Sequence, residues 1–352
     1  MSAATAPSAA PEKTEDERLA PRSAVRRLLG RPELGAVVGA GAVFVFFSIV
    51  AETFLQWSSF STVLYASSTI GIMAVPVALL MIGGEFDLSA GVMVASSALI
   101  ASMFSYQMTA NVWVGVGVSL VATLAIGFFN GFLLTRTKLP SFIITLGTFL
   151  MLTGANLGFT KLISGTVSTK TIGDMEGFPS ARKVFASHLT IGDVDLNVTI
   201  LWWFGLVAVA TWVLLRTRMG NWIFAAGGGA DAARAVGVPV NRTKIGLYMA
   251  VAFGAWISGM HLLMSYDVVQ SSEGVGNEFL YIIAAVIGGC LMTGGYGSAV
   301  GAAVGAFIFG MTNKGIVYAQ WSADWFKLFL GAMLLFAVLL NAWVRKRSEA
   351  GK

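Results

Sequence analysis

The sequence predicts an all-α, polytopic membrane protein with about ten transmembrane helices and both termini in the cytoplasm. Its mean hydropathy is +0.76, 56% of its 352 residues are hydrophobic and only 12% are charged. A soluble globular chain carries about 25% charged residues, so this composition excludes an ordinary cytosolic enzyme. The 10 Trp, 24 Phe and 41 Gly suit membrane helices, in which glycine is more frequent than in soluble ones.

The chain divides into a polar tail, a membrane domain and a short basic end. Residues 1–33 are charged, Ala/Pro-rich and lack the apolar core of a secretory signal, which predicts a disordered cytoplasmic tail. Residues 34–344 form the predicted permease domain, and 345–352 a basic cytoplasmic tail. A membrane helix needs about 20 apolar residues. Apolar runs close to that length lie at 34–51, 60–82, 88–105, 112–134, 141–163, 199–215, 245–266, 278–293, 298–318 and 325–343.

Basic residues predict the orientation, because Lys and Arg collect in cytoplasmic loops. Ten spans place both termini on one side. With both termini inside, 17 of the 23 basic residues lie in the cytoplasm. This excess explains the net charge of +5 without a nucleic acid partner. The same topology puts one polar segment, 164–198, outside and another, 216–244, in the cytoplasm.

The sequence lacks the common motifs of enzyme chemistry. No Gly-x-x-x-x-Gly-Lys-Ser/Thr, His-Glu-x-x-His or Gly-x-Ser-x-Gly occurs, so phosphate-loop, zinc-protease and serine-hydrolase sites are not predicted. The single Cys290 excludes a disulfide framework and a thiolate cluster. His188 and His261 form no motif. We therefore predict no catalytic residue, no cofactor and no metal on this chain.

A glycine-rich polar interruption, residues 83–91, lies between two apolar runs. Ionisable groups inside membrane segments are costly and usually face a cavity or the protein interior, which makes Asp87 a candidate for the transport path. Asp87 or Ser89 can equally cap the helix that follows, because their oxygens accept from the free N–H groups of its first turn. Capping is the stronger expectation.

A second interruption, residues 288–297, repeats the Ile-Gly-Gly of Ile82-Gly83-Gly84. Paired glycine-interrupted segments in two halves of a chain indicate an internal repeat around a transport path. After it, Gly297, Gly301 and Gly305 recur every four residues. Small residues at this spacing let membrane helices approach closely, within the subunit or across a dimer.

Four segments carry a family resemblance. They are 83–91 (GGEFDLSAG), 127–131 with 139–148 (GFFNG and LPSFIITLGT), 227–238 (GGGADAARAVGV), and 284–289 with 294–298 (AAVIGG and GGYGS). In this order they resemble the signature segments of sugar-type ABC importer permeases, the ribose and xylose group. The resemblance extends from about residue 60 to 320, nearly the whole membrane region.

The resemblance implies a permease subunit of the bacterial inner membrane that forms the path for a simple sugar or sugar-like polyol. The implied partners are a second permease subunit (a copy of this chain), ATP-binding subunits on the inner face, an extracytoplasmic solute-binding protein and the lipid bilayer. ATP and Mg²⁺ are then expected on the partner ATPase. The candidate pathway or signature residues are Gly83, Gly84, Asp87, Ser89, Asn130, Pro140, Phe142, Thr145, Gly288 and Gly289.

The resemblance also places the contact with the ATP-binding subunit on the cytoplasmic segment. Good helix formers over 230–236 predict a short helix that ends near Gly237. Its Ala-rich surface is expected to lie in a groove on the ATPase, so that Ala233→Trp would uncouple a folded permease. The residues assigned to this contact are Gly220, Gly228, Asp231, Ala232, Ala233, Arg234 and Gly237.

Two rival classes remain open at this point. An ion-coupled secondary transporter of a small polar solute would need a buried ionisable pair, for which Glu85 and Asp87 are the candidates. A membrane-embedded enzyme would need an acid/base constellation that the sequence does not show.

Overall fold

A computed structural model describes residues 33–108, 111–192 and 194–350, and these are mostly helical. The helical content confirms the predicted all-α class. In chain order the elements are α1 (Glu33–Val50), α2 (Trp57–Ile82), α3 (Ala90–Met108), α4 (Val112–Thr137), α5 (Ser141–Ser164), α6 (Phe178–Phe185), β1 (His188–Ile191), β2 (Val194–Asn197), α7 (Val198–Arg216), α8 (Arg218–Gly228), α9 (Ala230–Ala235), α10 (Val240–Tyr266), α11 (Asn277–Ile287), α12 (Ala299–Tyr318), a 3₁₀ turn (Ala323–Trp325) and α13 (Phe326–Ala350).

Eight of the described helices, α1 to α5, α7, α10 and α12, are long and apolar enough to cross a membrane. The predicted run 278–293 is instead the 11-residue helix α11, which ends at Ile287 because a glycine pair follows. The last predicted run falls on α13, which continues to Ala350. The total of ten spans and the side of the termini remain predictions. The predicted tail 1–33 lies outside the described residues, apart from Glu33 at the start of α1.

The centre of the protein is formed by α2, α3, α10 and α12. In the most apolar stretch of α2, 83% of the residues are buried, against 17% in α5. Helix α2 packs against α12, and α10 packs against α3 and α4. The outer helices expose large apolar side chains, such as Val121 of α4, Leu150 of α5 and Leu201 of α7. Such faces suit contact with lipid tails or with another membrane subunit.

The predicted small-residue stripe on α12 packs within the subunit. A Cβ on Gly301 would lie 2.0 Å from the Gly288 carbonyl oxygen, and one on Gly305 would lie 1.9 Å from the Ala284 carbonyl oxygen. Only glycine permits this approach of the α12 backbone to the end of α11. The structure therefore assigns Gly301 and Gly305 to the contact between α11 and α12.

The predicted outer segment folds into α6 and a two-stranded antiparallel hairpin. Phe178, Ala181 and Phe185 bury one side of α6. In the hairpin, Leu189 pairs with Leu196 across the ladder. The segment is thus more ordered than a simple loop, and it leads directly into α7.

Candidate transport and coupling site

The two glycine interruptions have the same backbone geometry. After α2, Gly84 has φ +83°, and the Glu85 N–H donates to the Leu80 carbonyl at 3.1 Å. After α11, Gly289 has φ +92°, and the Cys290 N–H donates to the Ala285 carbonyl at 3.1 Å. Both are Schellman ends, in which glycine adopts the left-handed conformation. The repeated Ile-Gly-Gly therefore corresponds to a repeated helix end, while the internal repeat around a transport path stays a prediction.

The two interruptions lie against each other. The Gly295 N–H donates to the Ile82 carbonyl at 2.8 Å, which joins the second loop to the end of α2. A Cβ on Gly294 would lie 2.7 Å from the Gly84 Cα. Backbone meets backbone here without side chains between them.

The end of helix α8, which lies in the segment predicted to be cytoplasmic, enters the same junction. A Cβ on Gly227 would lie 1.8 Å from the Ile82 carbonyl oxygen and 2.6 Å from the Gly295 nitrogen. Sequence reasoning selected the neighbouring Gly228, which is exposed and whose Cβ would meet nothing within 4 Å. The signals for Gly227 in the sequence were the run of three glycines and the family-like segment that begins at this residue. This helix end therefore touches both interruptions.

Four polar side chains form a buried chain of hydrogen bonds behind the first interruption. Asp87 Oδ1 accepts from the Ser89 N–H at 2.8 Å and from Ser89 Oγ at 2.5 Å. Asn130 Nδ2 donates to Ser89 Oγ at 3.0 Å, and Thr148 Oγ1 donates to Asn130 Oδ1 at 2.6 Å. All four are buried, and Asp87 Oδ2 has no hydrogen-bond partner within the described part of the chain. The chain links the start of α3 to α4 and α5.

The start of α5 holds the backbone of the first interruption. The Leu88 N–H donates to Thr145 Oγ1 at 3.1 Å, and the Phe86 N–H donates to Ser141 Oγ at 3.3 Å. From α10, Tyr248 OH donates to the Phe86 carbonyl at 2.8 Å. Ser141 and Tyr248 were not singled out from the sequence, because nothing local distinguishes them from other membrane-helix residues. These contacts position the loop within the chain.

The remaining pathway candidates differ in exposure. Pro140, at the cap of α5, and Phe142, which is 55% exposed, lie on the surface of the chain. Asp87, Asn130 and Thr145 are fully enclosed. The structure therefore gives these three residues hydrogen-bonding roles within one chain.

An ion pair connects the first interruption to the base of α10. Lys244 Nζ donates to Glu85 Oε1, and the two side chains are only 14% and 10% exposed. A buried carboxylate without this partner would carry a large desolvation cost. Glu85 is thus paired with Lys244, and Asp87 with Ser89, so neither carboxylate is paired with the other.

The segment predicted to be cytoplasmic, 216–244, contains the predicted short helix. Helix α9 spans Ala230–Ala235, and Gly237 follows with φ +85°. The Val238 N–H donates to the Ala233 carbonyl at 3.0 Å, which makes this a third Schellman end. The expectation that the helix ends near Gly237 is confirmed.

The side chains of this segment divide into an inner and an outer set. Ala233 is 4% exposed and packs with Ala226 and Val240 of the same chain, so Ala233→Trp would disrupt the segment itself, and its choice as a groove residue was wrong. Gly220 is enclosed by the end of α7. The outer set, which is exposed to solvent, is Gly228, Asp231, Ala232, Arg234, Val236 and Gly237.

Metal ligands do not assemble anywhere in the described ranges. No group of three or more His, Cys, Asp or Glu side chains there could hold a metal ion. The arrangement is a junction of two glycine interruptions, with the end of helix α8 in contact with both.

Comparison with known proteins identifies the family of this architecture. Residues 59–338 match the family described as branched-chain amino acid transport system / permease component. The chain belongs to this family. The assignment confirms a multi-pass protein of the bacterial inner membrane and a transport subunit rather than an enzyme.

The similarity of this permease component to individual relatives covers most of its length. It is 30% identical to the ribose import permease of Escherichia coli (strain K12), over 84% of this chain and 88% of the relative. It is 27% identical to the fructose import permease of Rhizobium meliloti, over 87% of this chain and 83% of the relative. It is 28% identical to the autoinducer 2 import permease of Enterobacter sp. (strain 638), over 92% of this chain and 90% of the relative. No solved structure was found to match the chain.

Proposed function

We propose that this permease component forms the membrane path for a simple sugar or a sugar-like polyol in an ATP-driven importer. The observation that carries the proposal is its similarity, over more than four-fifths of its length, to permeases that import ribose and fructose. An importer of this type works with an ATPase subunit and a binding protein. The ATP and Mg²⁺ are then held by the ATPase chain, and the binding protein delivers the solute.

The structure favours this energy source over ion coupling. An ion-coupled transporter needs an ionisable pair that can exchange its ion across the membrane. The two carboxylates proposed for that role are engaged elsewhere, Glu85 with Lys244 and Asp87 with Ser89. Glu85 and Asp87 therefore do not form a carboxylate pair with each other.

The proposed contact with the ATPase is the outer set of the cytoplasmic segment. Asp231 and Arg234 form an exposed ion pair at 2.8 Å, which contributes little stability because water screens it. Both side chains are therefore available to a partner at low cost. Ala233 and Gly220 support this surface from inside, and Gly227 connects it to the two interruptions.

The second permease subunit is proposed to be a copy of this chain. The exposed side of α5 carries Gly154 and Gly158, and a Cβ on either would meet nothing within 4 Å. Glycines four residues apart on a membrane helix favour close approach of another helix. This face of α5 suits contact with the second copy.

Uptake by the reconstituted complex tests the proposal. We expect proteoliposomes that contain this chain and its ATPase to import radiolabelled ribose or fructose when the binding protein is outside and ATP is inside. A protonophore should leave the rate unchanged. Uptake that needs no ATP and is abolished by the protonophore would instead establish ion coupling.

A surface variant tests the ATPase contact within the same assay. Ala232→Trp adds bulk to an exposed position of α9, so it should leave the permease folded and reduce both uptake and binding-protein-stimulated ATP hydrolysis at least tenfold. The matched control is Ala125→Trp on the exposed side of α4, which should retain both. Full activity of Ala232→Trp would exclude this surface as the coupling contact.

A further inference from the structure

The β hairpin between α6 and α7 has one wholly apolar face. Directly paired residues share a face of a ladder, and side chains alternate along each strand. The residues that the register places together on this face are Leu189, Ile191, Val194 and Leu196. On the opposite face, Thr190 Oγ1 donates to Asp195 Oδ1 at 2.6 Å. The hairpin is therefore amphipathic.

The apolar face is largely uncovered by the described part of the chain. Leu189 is 62% exposed, Ile191 is 59% exposed and Leu196 is 38% exposed. A contiguous apolar patch of this kind marks contact with a membrane or with another protein. The surroundings of the hairpin distinguish these two.

Chain continuity places the hairpin at the boundary of the membrane. Strand β2 ends at Asn197, and the candidate span α7 begins at Val198 with no linker between them. A four-residue strand is about 13 Å long. The apolar face therefore lies within about that distance of the point where α7 enters the bilayer.

Tryptophans near the starts of three spans mark the same level. Trp113 Nε1 of α4 donates to Ser180 Oγ of α6 at 2.8 Å, and Trp202 Nε1 of α7 donates to the Val184 carbonyl at 3.0 Å. Trp57, the first residue of α2, is 77% exposed. Tryptophan is enriched at membrane–water interfaces. Helix α6 and the hairpin that follows it thus lie at the level of an aromatic belt.

Positive charge lies shortly before the hairpin in the chain. Arg182 and Lys183 lie in the last turn of α6, and both are exposed. Basic side chains near a bilayer surface are attracted to anionic phospholipid headgroups. The combination of an apolar face and neighbouring basic side chains is that of an interfacial membrane anchor.

We propose that the last turn of α6 and the hairpin bind the bilayer surface, with the apolar face in the interfacial region and Arg182 and Lys183 against anionic headgroups. Lipid covers this face at all times. A binding protein associates and leaves, so it would return the apolar face to water after each delivery. Because the apolar face is always present, the lipid surface is a better partner for it than a protein that leaves.

Site-directed spin labelling of the full chain tests the proposal in vesicles of phosphatidylethanolamine and phosphatidylglycerol. Cys290→Ser removes the only native thiol, and the label is placed on Leu189→Cys or, independently, on Leu196→Cys. Thr190→Cys on the polar face is the matched control. We expect the labels at 189 and 196 to be relaxed several-fold more by oxygen, which partitions into lipid, than by a water-soluble nickel chelate. The label at 190 should show the reverse preference.

Two outcomes would overturn the proposal. Preferential relaxation by the nickel chelate at both 189 and 196 would place the apolar face in water. If added binding protein then protects those two labels, the face belongs to that partner. The measurement needs neither substrate nor ATP, so its result is independent of the proposed transport function.

Discussion

Gly227 is the position at which one added methyl group should reveal how the segment 216–244 is joined to the membrane helices. In Gly227→Ala the new Cβ would lie 1.8 Å from the Ile82 carbonyl oxygen. Ordinary contact begins near 3.4 Å, so these atoms must separate by about 1.6 Å. Both neighbours of the methyl group are backbone atoms, joined by the 2.8 Å hydrogen bond from Gly295 to Ile82. Neither can rotate away.

The magnitude follows from these contacts. Overpacking of a well-packed interior costs about 1–3 kcal/mol, and loss of a buried backbone hydrogen bond costs a similar amount. We expect Gly227→Ala to lower the free energy of unfolding by about 2–6 kcal/mol and to reduce ATP-driven uptake. Unfolding of the purified permease in detergent measures the first effect, and the proteoliposome assay measures the second.

The neighbouring glycine provides the control for stability. A Cβ on Gly228 meets nothing within 4 Å, so Gly228→Ala should unfold at the same temperature as the unmodified chain. If Gly227→Ala is equally stable, the end of α8 does not approach Ile82 as closely as described. The proposed link between the ATPase contact and the two interruptions would then fail.

Two further substitutions test the buried polar contacts. Asn130→Ala removes the hydrogen bonds from Asn130 to Ser89 and from Thr148 to Asn130, while Ser89 keeps Asp87 and Thr148 keeps the Ile144 carbonyl as partners. The loss should cost about 1–3 kcal/mol of stability, with the KM for uptake unchanged. A raised KM at full stability would make Asn130 a substrate contact instead. Lys244→Met leaves Glu85 buried and unpaired and should cost about 3–5 kcal/mol. The double variant Glu85→Met/Lys244→Met should recover most of that loss, and a double variant no more stable than the single one would show that the ion pair is not responsible.

The features that the sequence determined by itself are local ones. The Ile-Gly-Gly pairs end α2 and α11 in the same way because a Schellman end needs only six consecutive residues and a glycine at positive φ. Gly237 ends α9 for the same reason. The apolar runs predicted the eight candidate membrane helices. They could do so because a helical span satisfies its backbone hydrogen bonds within itself. These features need no distant partner.

The tertiary structure alone decided which helix faces are buried and which distant residues meet. In a membrane protein, a face that meets lipid and a face that meets protein are equally apolar, so hydropathy does not separate them. The most apolar stretches of α2 and α5 are similarly apolar, yet 83% of the residues are buried in the α2 stretch and 17% in the α5 stretch. Likewise, Ala233 turns inward while Ala232 faces solvent. Ile82, Gly227 and Gly295 meet across more than two hundred residues of chain, and no periodicity in the sequence encodes a contact of that range.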